Sequence, residues 1–167
     1  MPQAAASKAP DAITLLKEEH REVEQLFDRY EKLAEGDAGD EEKEDLAGQI
    51  CFALTLHTQI EERVLYPRAQ EALGDDADLV DEANVEHASA KDLIAQLQSG
   101  SPSEPLYDAK VKVLGEYIKH HVKEEENEMF PKLRQAKELD LAALGEEMSA
   151  LKESLLAKMA GSPAAAD

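Results

Sequence analysis

Four stretches of the chain repeat apolar residues at three- and four-residue spacings, the period of an amphipathic helix. The first row is Ile13, Leu16, Val23, Phe27 and Tyr30, and the second is Leu46, Ile50, Ala53 or Leu54, and Leu65. The third is Val80, Ala83, Ala90, Ile94 and Leu97, and the fourth is Val111, Leu114, Ile118 and Met129. Turn-forming runs separate them: Gly36-Asp37-Ala38-Gly39-Asp40, Gly74 with the aspartates after it, and Ser99 to Pro105. Asp11 is placed to cap the first helix. Pro67 is expected to end or kink the second, because it lacks an amide donor and crowds the preceding turn; a short extension through Ala72 stays open. Pro131 stands near the end of the fourth. Leu141, Leu144, Met148, Leu151 and Leu155 predict a further helix within 138–159. The expected architecture is all-α: an up-down-up-down four-helix bundle over residues 11–135 with an additional C-terminal capping or interaction helix over 136–160. Residues 1–10 and 161–167 read as a disordered lead and tail.

Each of the four rows is interrupted by one histidine: His20, His57, His87 and His121. In the second and fourth rows a glutamate follows one turn later, Glu61 after His57 and Glu125 after His121. Residues four apart lie on one helical face, so each pair aims an imidazole and a carboxylate at one point. The longer phrase also recurs, with Leu65-Tyr66-Pro67 closing the first copy and Met129-Phe130-Pro131 closing the second. One helix intervenes between the copies, so they are expected to face each other diagonally.

Ionised carboxylates on apolar faces need protons, counter-ions or a metal. Four imidazoles and two carboxylates suit a pair of non-haem metals, with iron ahead of zinc, manganese and cobalt. The expected ligands are His20, His57, Glu61, His87, His121 and Glu125. Glu61 and Glu125 would bridge, and a shared oxo or hydroxo group would complete the pair. Which histidines share an ion stays open. The competing readings are a proton-sharing His/Glu network and a metal-free bundle. His120, about 100° from its neighbour His121, is assigned to the surface, and Glu62, Glu124, Glu126 and Glu128 to a solvated acidic face. Glu24, one turn after His20, is a reserve donor. Tyr30, Tyr66, Tyr117 and Phe130 are expected in core packing, and Lys91 in a surface ion pair.

Composition narrows the partners. With 37 acidic and 18 basic residues the formal net charge is −19, which repels phosphate backbones and anionic membranes. The single cysteine, Cys51, excludes an intrachain disulfide and any all-cysteine metal site. No apolar run is long enough to span a bilayer and the N-terminal residues lack a secretion signal, so a cytoplasmic location is expected. There is no glycine-rich nucleotide loop, no His-Glu-x-x-His pair, and no Glu-x-x-His arrangement of the ferritin-like sites. The sequence leaves both a monomer and a homodimer open.

The segments DAITLLKEEHREVEQLF, HTQIEERVLYP, DEANVEHASAKDLIAQL and HHVKEEENEMFP together resemble the hemerythrin-like, or HHE cation-binding, family over about Asp11 to Arg134. The resemblance implies a left-handed four-helix bundle and carries His20, His57, Glu61, His87, His121 and Glu125 over as diiron ligands. It also implies oxygen, hydrogen peroxide or nitric oxide as the small ligand, with sensing and peroxide decomposition as the associated activities. Two positions depart from the oxygen-carrying members. Lys91 stands where they place another histidine, and Glu125 lies four residues after its histidine where they place an aspartate five after. One histidine fewer implies a more open pair of irons, which points toward peroxide or nitric oxide chemistry.

Overall fold

The computed structural model describes residues 9–161, so the expectations for residues 1–8 and 162–167 lie outside the described residues. Helix α1 spans Ala12–Glu35, and the expected cap is in place, with the Thr14 amide donating to Asp11 Oδ1 at 2.8 Å. Helix α2 spans Asp40–Ile60, beginning on three acidic residues that suit the positive end of its dipole. The chain then makes one π-helical turn, Glu61–Leu65, and continues as α3, Tyr66–Leu73. Gly74, at φ +55°, turns the chain into α4, Asp78–Ser99. Helix α5 spans Tyr107–Glu124, a second π-turn covers Glu125–Met129, and α6 follows over Phe130–Gln135. Helix α7 spans Leu141–Gly161.

The prolines therefore neither stop nor break the second and fourth rods. Each sits at the start of the segment after a π-turn. A proline inside an α-helix clashes with the carbonyl one turn back and leaves it without a donor. A π-turn widens the ring at that place and bonds each amide five residues back, as the Tyr66 amide does to the Glu61 carbonyl. The rod absorbs the proline and keeps going.

Helix α1 packs on α2 and α5, and α4 packs on the same two, closing a four-helix ring in which the repeated phrases stand diagonally. Two separate apolar clusters fill it. One gathers Ile13, Leu16, Ile60, Leu65, Ala83, Met129 and Phe130 at the end that α7 covers, and includes Leu144 and Met148 from α7 itself. The other gathers Val23, Ile50, Leu54, Ala90, Leu114 and Ile118. On α1, α4 and the rod that begins with α5 the residues between the two clusters include the histidine, and on α2 the histidine, His57, comes just after Leu56, where the cluster that α7 covers begins. The bundle is thus two oil drops with a polar layer between them.

Helix α7 lies across α1 and α2 with Leu144, Met148 and Leu155 buried. Its approach is close at Gly145, where an added Cβ would collide with the Pro10 carbonyl and come within 2.9 Å of the Ala12 amide nitrogen. Gly145→Ala gains at most about 1 kcal/mol of helix propensity. Overpacking against backbone, which cannot swing aside, costs about 1–3 kcal/mol. We expect a net loss, read as a fall in melting temperature of about 2–4 °C per kcal/mol; a variant that melts at or above the parent would refute the close packing of α7 on the start of α1.

Candidate metal centre

The polar layer holds His20, His57, Glu61, His87, His121 and Glu125, all at most 5% exposed. They fall into two groups that share Glu61. His20, His57, Glu61 and Glu125 each turn one donor atom into a sphere where all lie within 4.8 Å of one another, and Glu61, His87 and His121 do the same beside it. The sequence leaves the pairing of histidines open, and the geometry groups His20 with His57 and His87 with His121, whose Nε2 atoms are 3.1 Å apart.

Glu61 reaches both groups with different oxygens. Its Oε1 is 2.6 Å from His57 Nε2 and 3.8 Å from His20 Nε2, while Oε2 is 3.0 Å from His87 Nε2 and 3.7 Å from His121 Nε2. Glu125 is placed differently: Oε1 alone lies between His121 Nε2 at 2.7 Å and His20 Nε2 at 3.6 Å. Its Oε2 lies instead 3.2 Å from the Tyr66 hydroxyl.

The layer is poorly served by its own hydrogen bonds. His20 Nε2, His57 Nε2, Glu61 Oε1 and Glu125 Oε1 are buried and without a hydrogen-bond partner, although charged neighbours stand within 2.6 to 3.8 Å. Lone pairs that crowd toward a shared point without bonding to each other are what a cation requires. The donors fit the metal pair that the sequence implies.

Protons compete for the same atoms. Burial alone would depress the His57 imidazole, but Glu61 and Glu19 outweigh it and raise it to about 10. His121 is raised further, with burial again opposed by Glu125 and Glu61. Burial would raise the Glu61 carboxyl, and the surrounding imidazoles hold it well below its ordinary range instead. Glu125 is lowered as well, its burial and the nearby Glu61 charge being outweighed by His121 and His20.

Behind each histidine stands a second carboxylate. His57 Nδ1 meets Glu19 Oε1 at 3.2 Å, His87 Nδ1 meets Glu62 Oε1 at 3.3 Å, and His20 Nδ1 meets Glu126 Oε2 at 3.3 Å. His121 Nδ1 faces Glu86 Oε1 at the longer distance of 3.6 Å. A carboxylate there keeps the proton on Nδ1, fixes the ring, and leaves Nε2 free to donate inward. The four pairs run in one direction round the bundle. Helix α1 gives Glu19 to the histidine of α2, and the rod that begins with α2 gives Glu62 to α4. Helix α4 gives Glu86 to α5, and the rod that begins with α5 gives Glu126 back to α1.

These pairs correct the sequence reading. Glu62 and Glu126 are half-buried partners of His87 and His20 rather than members of a solvated face. Glu19 and Glu86 carry no His-to-Glu spacing of their own, and the one sign of Glu19 in the sequence is its place among Leu15, Leu16 and Val23. Tyr66 also does more than pack. Its hydroxyl donates to Glu61 Oε2 at 2.7 Å and lies 3.1 Å from His87 Nε2 and 3.4 Å from His121 Nε2. On a continuous α-helix, five residues from Glu61, it would point about 140° away; the π-turn swings it back. Its counterpart Phe130, swung round by the second π-turn, stacks on His20 with ring centroids 6.0 Å apart. One half of the centre therefore has a phenol where the other has a bare ring.

The remaining residues stay outside. His120 is 65% exposed and pairs with Glu124 at 3.0 Å. Glu24 and Glu128 are exposed, and so is Tyr117, against the core packing expected of it from the sequence. Tyr30 donates to Asp108 at 2.7 Å. Lys91 makes its expected ion pair, but with Glu62, at 2.6 Å.

Comparison with known proteins agrees with this geometry. Residues 11–133 match the family described as hemerythrin HHE cation binding domain. A crystal structure of a hemerythrin HHE cation binding domain-containing protein from Mycobacterium kansasii is similar with a TM-score of 0.70 and 29% identity, over 91% of this chain and 93% of that one. A DNA nickase from Nostoc sp. is 32% identical over 123 residues, 72% of this chain; the chain spans only 32% of that protein's length.

Because His57 is raised from 6.5 to about 10, its contribution to the stability of the metal-free protein is complete below pH 6.5 and is lost as pH climbs toward 10. Glu61 and Glu125 are depressed from 4.5, so theirs is present above pH 4.5 and lost as pH falls below it. The melting temperature of chelator-treated protein is thus expected to decline between pH 6.5 and 10. Metal affinity should strengthen over the same interval, since the ligating imidazoles must shed protons. A metal-free protein whose melting temperature holds level or rises there would contradict the assignment.

Proposed function

Since the chain belongs to the hemerythrin HHE cation-binding domain family and its His/Glu groups make a diiron-type metal-binding site, we propose that it holds two irons and uses them to bind oxygen, hydrogen peroxide or nitric oxide, with peroxide decomposition as its reaction. The observation that carries this reading is the set of buried Nε2 and Oε1 atoms that converge without hydrogen-bonding to one another. His20 and His57 would serve one iron, His87 and His121 the other, with Glu61 across both. Glu125 would join through Oε1. When bound, paired irons supply two adjacent redox-active Lewis acids.

The protein's own groups then do three things. The four outer carboxylates hold the imidazoles in the tautomer that donates inward. Phe130, Leu65, Ile60 and Met129 shut water out from the end covered by α7. The Tyr66 hydroxyl, raised well above its ordinary range by burial and by Glu125 and Glu61, stays protonated and keeps a hydrogen available at Oη beside the second group. A groove of about 800 Å³ between α1 and α5, lined in part by Phe27, Gly115 and Ile118, reaches His20 and offers small molecules a way in.

Among the described residues no helix is long and apolar enough to cross a membrane. A net charge of −19 sets the chain against phosphate backbones, so the activity in the Nostoc protein's name is not extended to it. A cytoplasmic home, where peroxide and nitric oxide diffuse freely, fits the proposal.

Elemental analysis should find about two irons per chain, the number of donor groups described above. Glu61→Ala should lose both irons together, while Glu125→Ala, which reaches in through one oxygen, should weaken both less severely. The iron-loaded protein should consume hydrogen peroxide, followed as oxygen release. Reversible optical change with nitric oxide but no turnover would move the assignment to a sensor, and loss of one iron only from Glu61→Ala would refute the bridge.

A further inference from the structure

Helix α7 lies outside the four-helix ring, yet one of its side chains is joined to the centre. Lys152 donates from Nζ to Glu19 Oε2 at 3.2 Å. Glu19 is only 7% exposed, and its other oxygen faces His57 Nδ1 at 3.2 Å. His57 Nε2 in turn lies 2.6 Å from Glu61 Oε1. Three short contacts thus lead from α7 to the carboxylate that spans both metal groups.

The other outer carboxylates are braced differently. Glu62 meets Lys91 within its own ring of helices. Among the described residues no lysine or arginine pairs with Glu126 or Glu86, the partners of His20 and His121. In the first group, then, one histidine has a lysine-held carboxylate behind it and the other does not. A carboxylate accepting from Nδ1–H pushes electron density onto the imidazole and strengthens Nε2 as a donor. A lysine on the far oxygen draws that density back and restrains the carboxylate.

We propose that α7 acts as an electrostatic brace on the metal pair, with Lys152 a positioning residue that holds Glu19 and so sets the orientation and donor strength of His57. This rests on the iron-pair reading above. It assigns α7 a role beyond covering the apolar end, and it makes the two histidines of one group unequal donors. Neither Lys152 nor Glu19 touches the metal position.

The sign of the effect separates it from simple packing. Lys152→Met removes the restraint, makes Glu19 the stronger acceptor and favours the more oxidised iron, so the midpoint potential of the pair should fall. Glu19→Gln removes the negative charge behind His57, so the potential should rise, and iron affinity, read by competition with a chelator, should fall about 10–100-fold. Lys152→Arg should restore the parent potential. All four proteins are loaded with iron, checked for helicity and titrated spectroelectrochemically. Opposite shifts for Lys152→Met and Glu19→Gln, with Lys152→Arg at the parent value, support the brace. Shifts in the same direction, no shift, or Lys152→Arg behaving as Lys152→Met overturn it; should Lys152→Met not fold, an unmoved potential in Glu19→Gln overturns it alone. A parent protein that takes up no iron overturns the iron-pair reading instead, so the two failures are told apart.

Discussion

Six ionisable side chains buried across the middle of a helical bundle are the constraint from which the rest of this structure follows. An unpartnered carboxylate or imidazolium inside a protein is expensive enough to unfold a domain of ordinary stability. The chain meets that cost with convergence: carboxylate oxygens stand beside the imidazole nitrogens, and the inward-facing atoms gather into two groups that share Glu61. What would be a defect in an apolar core becomes a place for cations.

The constraint shapes the scaffold. The apolar core cannot be continuous, so it is divided into two clusters, one on either side of the layer. The rods carrying Glu61 and Glu125 each widen into a π-turn that starts at that glutamate. Such turns cost helix regularity and occur often at functional sites. Here they accommodate Pro67 and Pro131 and rotate Tyr66 and Phe130 into the layer. The two copies of the phrase are alike in backbone, and they differ in the ring they deliver, so a near-symmetric scaffold holds an unsymmetric centre.

The outer carboxylates extend the same logic. Each stands next in sequence to a residue of the layer, and each serves the histidine of a neighbouring helix. The bundle is therefore tied in a ring by polar contacts as well as by packing, and a ring of this kind couples the orientation of every histidine to the placement of its neighbour's helix. Helix α7 enters that ring at one point, through Lys152.

The sequence by itself determined the helices, the Asp11 cap, the histidine on each apolar row and the His-to-Glu spacing, because these depend on the period of a single helix and on local turn chemistry. The diagonal placement of the repeated phrases followed from connectivity. The tertiary structure alone decided which histidines share a group and which carboxylate stands behind each. Glu62 looks solvated on its own helix, and both it and Glu19 acquire their histidine partners only when the next helix arrives. Tyr66 was out of reach for a different reason: its direction depends on one widened turn, and a fixed helical period carries no trace of that turn until the chain has folded around Pro67.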